Sequence, residues 1–195
     1  MMAVLGLSAM AMGSVSPAGG TIEGTVTAKG LASNADAVVF IQQMPGKGAP
    51  PAKPADIDQH SMHFVPHVLP VVAGTTVRFL NSDPTQHNVF SPDYEKYNLG
   101  TWPQGQTKDH TFAACAKPPC AYVQLCRVHP EMEGYVVVLQ NAFFAVTGSD
   151  GRFRIDNIPP GSYTLGVWHP KRKAQPKQVV VDPAKPATAD FVLAQ

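Results

Sequence analysis

The sequence predicts an all-β protein of many short strands, and three observations lead there. Its 19 prolines and 16 glycines are scattered between short apolar runs rather than gathered in one region. No long stretch keeps the 3.6-residue period of an amphipathic helix. The runs that stand out are strand-like and bounded by turn residues. In chain order they are 22–27 and 37–41, then 74–81, 107–112, 121–125 and 135–139, then 153–155, 163–167, 179–181 and 191–193. A length of 195 residues suits one large or two small domains.

Charge excludes several functions. Fifteen Lys and Arg against fourteen Asp and Glu leave no field to draw nucleic acid or an acidic membrane. No apolar run approaches the roughly 20 residues needed to span a bilayer. The first 19 residues stand apart: small and apolar through Gly13, with Ala9-Met10-Ala11 as a cleavage candidate and a linker-like stretch after it. We expect a secretory signal peptide and linker there, although the basic start of such a signal is missing. A disordered N-terminus is the plain alternative, and on either reading residues 1–19 are set outside the fold.

Three cysteines make an odd count. Cys115 and Cys120 bracket the turn sequence Ala-Lys-Pro-Pro and are expected to pair, a closure worth roughly 2 kcal/mol on the chain-entropy model. Cys126 follows along a strand-like run that, extended, covers about 20 Å, beyond disulfide reach. It is therefore expected to be a free thiol, protected in an oxidising compartment by burial or by a metal.

Cys126 opens the segment Cys126-Arg127-Val128-His129-Pro130-Glu131-Met132, a C-x2-H-x2-M spacing just before the strand 135–139. Upstream, the strand ending at Asn81 leads through a short loop to His87-Asn88-Val89. Two imidazoles, a thiolate and a thioether are the donor set of a blue-copper site, a trigonal plane with a weak axial sulfur. One thiolate with a thioether is a poor zinc set. These residues, together with Phe64-Val65-Pro66 and Gly134-Tyr135-Val136, resemble the cupredoxins over about 57–139, and among them the amicyanin- and plastocyanin-like proteins. The resemblance implies a Greek-key β-sandwich holding one copper ion through His87, Cys126, His129 and Met132, with His129 near the surface where electrons enter or leave. One departure stands out. Many cupredoxins carry Ser or Thr after the ligand cysteine, bonded to the Asn that follows the first His; here the residue is Arg127. Asn88 is then expected to bond a backbone group instead, and a cation beside the site would favour Cu(I).

Other side chains in this region have two readings. His60, Met62, His63 and His67 could form a second copper or loading site, or they are surface residues of an early strand in which 63 and 67 share a face and 60 and 63 do not. His110 is expected to face solvent, and His169 to be structural. Residues 93–102, with Tyr94, Tyr97 and Trp102, read as a loop whose aromatics either pack locally or dock a partner.

The rest of the chain differs in character. Residues 147–155 read as a hairpin, and the run D-G-R-F-x-I-x-N-I-P-P-G-S-Y-T-L resembles the carboxypeptidase regulatory-like, or transthyretin-like, β-sandwich. That module opens with strands of the form I-x-G-x-V and A-x-V, which occur here at the other end, as Ile22-Glu23-Gly24-Thr25-Val26 and Ala37-Val38-Val39. The expected organisation is one sandwich from 20–46 and 140–195, with the cupredoxin, 55–139, inserted at an exposed loop. The alternative is an extended cupredoxin followed by a separate tail domain.

The functional expectation is a periplasmic or secreted mononuclear electron-transfer protein and not an enzyme, a monomer that exchanges electrons with a redox protein partner. Resemblance to amicyanin implies an amine-oxidising periplasmic dehydrogenase as one such partner. The alternative is a copper chaperone or scavenger. A multicopper enzyme commonly places a histidine directly beside the ligand cysteine, where this chain has Leu125 and Arg127.

Overall fold

The computed structural model describes residues 19–46, 48–113 and 115–195. The expected signal segment lies outside them up to residue 18. Among the described residues there is no helix, and seventeen strands carry the chain. The first five are β1 (Gly20–Ala28), β2 (Val38–Ile41), β3 (Ala55–His60), β4 (His63–Val65) and β5 (Val68–Val72). Next come β6 (Thr76–Asn81), β7 (His87–Ser91), β8 (Tyr97–Trp102), β9 (Thr107–Thr111), β10 (Cys120–Leu125) and β11 (Glu133–Leu139). The last are β12 (Phe144–Val146), β13 (Arg152–Ile158), β14 (Gly161–Trp168), β15 (Lys177–Val181), β16 (Ala187–Thr188) and β17 (Phe191–Leu193).

A central sandwich uses β3 to β11, in two sheets of order β5-β11-β10-β7-β8 and β4-β3-β6-β9. Strict alternation of buried and partly exposed residues along β6 and β10 gives each sheet one apolar face. Phe79, Val89, Tyr122 and Val136 meet between the two faces, with Cys126 and Met132 in the same cluster. Residues 93–102 are not a loop throughout: Tyr97–Trp102 is the edge strand β8, paired antiparallel with β7. Its alternation is masked by Asn98, Gly100 and Thr101 on the open side.

A terminal sandwich is built from both ends of the chain. One sheet runs β13-β1-β16, with β17 also on β1, and the other β12-β2-β14-β15. Ile22, Val26, Val39, Ile41, Leu165 and Phe191 share its core. Gly24 is required where β1 passes the β16–β17 turn, since a Cβ there would stand 2.1 Å from the Ala189 carbonyl oxygen. The expected hairpin at 147–155 is not one. β12 pairs with β2 and β13 with β1, so the turn between them crosses from one sheet to the other. Turn residues mark a reversal, but they do not say which sheet receives the chain.

The two crossings between sandwiches run side by side. The Gly48 amide donates to the Gln140 carbonyl at 3.1 Å, and Asn141 Nδ2 donates to the Ile41 carbonyl at 2.9 Å. Beyond them a third apolar cluster joins the sandwiches, with Val38 and Phe40 of β2 against Val68, Val137 and Leu139 of β5 and β11. Each such side chain, fully buried, is worth about 1.5–3 kcal/mol of transfer free energy. At one margin Asp36 Oδ2 and His67 Nδ1 pair at 2.8 Å, and Tyr135 packs against Trp168 at 5.3 Å. The join thus backs β11, the strand that begins immediately after Met132.

Candidate metal centre

Antiparallel pairing of β7 with β10 places the start of the first beside the end of the second. His87 opens β7, and Cys126 follows β10 directly, so the two side chains meet at one end of the sheet. The loop from Cys126 then turns tightly, with the Met132 amide donating to the His129 carbonyl at 3.1 Å, and re-enters the sheet as β11. Gly134 lets β11 pass beneath β4: a Cβ on it would lie 2.8 Å from that of Phe64.

His87 Nδ1 lies 3.0 Å from His129 Nδ1 and 3.9 Å from Cys126 Sγ, and the donor atoms of all three residues fall within 4.8 Å of one another. Metal bonds of about 2.0 Å to nitrogen and 2.3 Å to sulfur in a trigonal plane put donors roughly 3.5–3.7 Å apart, so the residues present fit a metal ion. His87, Cys126 and Met132 are 0%, 3% and 1% exposed, while His129 is only partly buried. Met132 shares an apolar cluster with Cys126, next in the loop to the other donors.

The surroundings fix these groups in place. The Asn88 amide donates to Cys126 Sγ at 3.4 Å. Asn88 Oδ1 accepts from the Arg127 amide at 3.4 Å, and its Nδ2 donates to Asn98 Oδ1 and the Gly100 carbonyl, tying the cysteine loop to β7 and β8. The backbone partner expected for Asn88 is thus the amide of Arg127. The Arg127 side chain turns outward, its guanidinium carbon 5.0 Å from the centre of the Phe90 ring. Cys115 and Cys120 are disulfide-bonded, and Cys126 is a buried free thiol.

Asp83 is the functional residue that sequence reasoning missed. Its Oδ2 sits 2.8 Å from His87 Nε2, and its oxygens accept from the Ser61 and Met62 amides at 2.6 and 2.8 Å. A carboxylate on Nε2 holds the proton there and leaves the Nδ1 lone pair facing Cys126 and His129. Burial alone would raise the Asp83 carboxyl. Hydrogen bonds from the Met62 amide, His87 and the Ser61 amide outweigh it and hold the group below the ordinary carboxylate value. An acid four residues before a ligand histidine was the available signal, but in a loop that spacing has no fixed geometry.

The remaining histidines separate. His67 lies on the Asp36 carboxylate at the join between sandwiches. His110 does not face solvent: it stacks on Tyr97 with centroids 3.8 Å apart and meets Phe112 edge-on, and burial lowers its basicity against the pull of Glu95. β9 is an edge strand, so the outward face that its polar sequence suggested is covered by β8. His169 is buried, accepts from the Lys171 amide at 3.0 Å, and is made less basic chiefly by burial. His60 and His63 are exposed, and contrary to the single-strand reading they stand directly opposite each other, because the chain reverses between them.

Residues 131–194 match the family model of the carboxypeptidase regulatory-like domain. That contiguous match takes in Met132 and β11, which hydrogen-bonds within the central sandwich, whereas β1 and β2, which complete the terminal sheets, lie outside it. Comparison with curated proteins gave no match. Solved structures similar to the chain include the copper-containing nitrite reductase of Thermus scotoductus, at 23% identity over 60% of this chain with a TM-score of 0.42. The chain spans 28% of that enzyme's length. A purple cupredoxin from Nitrosopumilus maritimus matches at 26% identity, over 43% of this chain and 98% of its own, with a TM-score of 0.38. A reduced amicyanin variant matches at 24% identity, over 51% of this chain and 97% of its own, with a TM-score of 0.41.

Proposed function

We propose that the central sandwich is a mononuclear blue-copper electron carrier, with His87, Cys126 and His129 as the strong ligands and Met132 as the weak axial one. The observation that carries this reading is the convergence of His87 Nδ1, His129 Nδ1 and Cys126 Sγ within 4.8 Å. Copper would supply a one-electron couple between Cu(II) and Cu(I). Everything else is the work of this chain. The thiolate and thioether favour the reduced ion and the imidazoles serve both states. The Asn88 amide and Asp83 hold sulfur and ring in place, and three buried ligands leave little room for a substrate to reach the centre. His129 alone of the four is partly open, and electron exchange with a redox protein partner is assigned to its face. No bond-making role is assigned to the protein.

A secreted or periplasmic location belongs to the same proposal. The Cys115–Cys120 disulfide supports it, because such bonds persist in oxidising compartments. We also read the chain as one sandwich, 20–46 with 140–195, carrying the copper domain as an insertion. The pairings of β1 with β13 and of β2 with β14 support this.

The test is visible absorption and electron paramagnetic resonance (EPR) of the protein with one equivalent of Cu(II), beside Cys126→Ser. An intense thiolate-to-copper band with a narrow copper hyperfine splitting, lost in the variant, is the expected result. An ordinary cupric spectrum indifferent to the substitution would overturn the proposal.

A further inference from the structure

Four of the seven histidines, His67, His87, His110 and His169, are engaged as described, and His129 belongs to the candidate centre. His60 and His63 are left, at the tip of the β3–β4 hairpin. They are opposed in the antiparallel register, at the positions flanking a two-residue turn. Opposed residues point to the same face with Cβ atoms about 5 Å apart. That face is the outer one: the neighbouring pair, Gln59 and Phe64, is buried, while both histidines are exposed.

Two features prepare this pair to bind an ion. His63 Nδ1 lies 2.7 Å from the Ser61 carbonyl oxygen. A carbonyl can only accept, so Nδ1 carries the proton and Nε2 presents its lone pair outward, the tautomer that metal-ligating histidines adopt. The turn itself is held rigid. Ser61 and Met62 take φ values of 53° and 60°, and both amides are clamped by Asp83. Little ordering is then left for the ion to impose. Met62, 48% exposed, adds a thioether in the same turn.

We propose that His60 and His63 form a second, surface copper site that takes Cu(II) through two imidazoles. Imidazole donors suit copper, and Cu(II) heads the divalent first-row affinity order. The site also has a physical link to the candidate centre. Asp83 grips the hairpin turn with the same carboxylate that holds His87 Nε2. The site stands on the hairpin geometry alone and does not depend on the reading of the inner ligands.

Titration with Cu(II) in the wild type and in Cys126→Ser, followed by EPR and equilibrium dialysis, tests it. Both proteins are expected to show an ordinary cupric signal with nitrogen couplings, over and above any blue signal. His60→Ala and His63→Ala should each weaken that binding by roughly 100-fold, the low end of what two linked contacts gain over one. The double variant should lose it. Both residues are exposed, so thermal unfolding of the metal-free variants should match the wild type within small error. Cupric binding of undiminished stoichiometry after the double substitution, or none in Cys126→Ser, would overturn the site. Failure of the blue band alone would overturn only the inner reading.

Discussion

Replacing Asp83 with Asn separates what this carboxylate does for the fold from what it does for His87. The aspartate accepts three hydrogen bonds, from Ser61, Met62 and His87, at 2.6, 2.8 and 2.8 Å. An amide offers one oxygen. If the oxygen stays on Ser61, the NH2 group faces the Met62 amide and His87 Nε2–H. Donors then oppose donors, and His87 relaxes by moving its proton to Nδ1, which blocks the lone pair facing Cys126. If the amide flips, His87 and Met62 keep an acceptor and Ser61 loses one. The gentler outcome forfeits one charge-assisted bond, about 1.5–3 kcal/mol. The variant should lose about that much stability in urea without metal. It should also bind copper about 10–100-fold more weakly in competition with a chelator, the usual cost of losing such a partner to a ligating histidine. A stability loss with copper affinity unchanged would show that Asp83 serves the hairpin only, and the orienting argument would fail.

Two further predictions concern charge. Arg127→Ser removes an exposed cation two residues along the chain from His129, and the midpoint potential should fall by about 40 mV or less, the one-electron equivalent of about 1 kcal/mol. No change by voltammetry would mean that the outward turn over Phe90 leaves the charge fully screened. The Asp36–His67 pair makes the join between sandwiches pH-sensitive. The bond to Asp36 raises His67 above 6.5, against burial, and the same bond lowers Asp36 below 3.8. The raised imidazole contributes fully below 6.5 and is lost as pH climbs through its folded value, while the lowered carboxyl contributes above 3.8 and is lost as pH falls through its own. The pair therefore stabilises most between those limits, by up to about 1 kcal/mol because both side chains are partly exposed, at 38% and 34%. Urea unfolding of the wild type and His67→Ala should differ near about pH 5 and converge near about pH 9. Equal differences at both would refute the assignment.

Features that depend on neighbours in the chain were legible from the residues alone. Alternation along 76–81 and 120–125 marks strands, because each side chain's face follows from the one before. Cys126, His129 and Met132 are legible as a group because one short loop cannot carry them far apart, and His87 was reachable through the cupredoxin-like pattern around it. The disulfide of Cys115 and Cys120 was equally local. The rest depended on where the chain reverses and on which segments pack together. Asp83 acts across a loop of undefined shape, on a histidine of its own segment and on a turn more than 20 residues earlier. His60 and His63 share a face only because the chain reverses between them, which inverts the rule for a single strand. His110 is covered because β8 lies beside β9, and the turn after β12 changes sheets because its partner strand lies near the other end of the chain. In each case the deciding contact joins residues that alternation and local spacing do not relate. For His110 and the turn after β12 the free energy that selects the contact comes from packing apolar faces together, and for Asp83 and the hairpin tip from the hydrogen bonds that its carboxylate accepts.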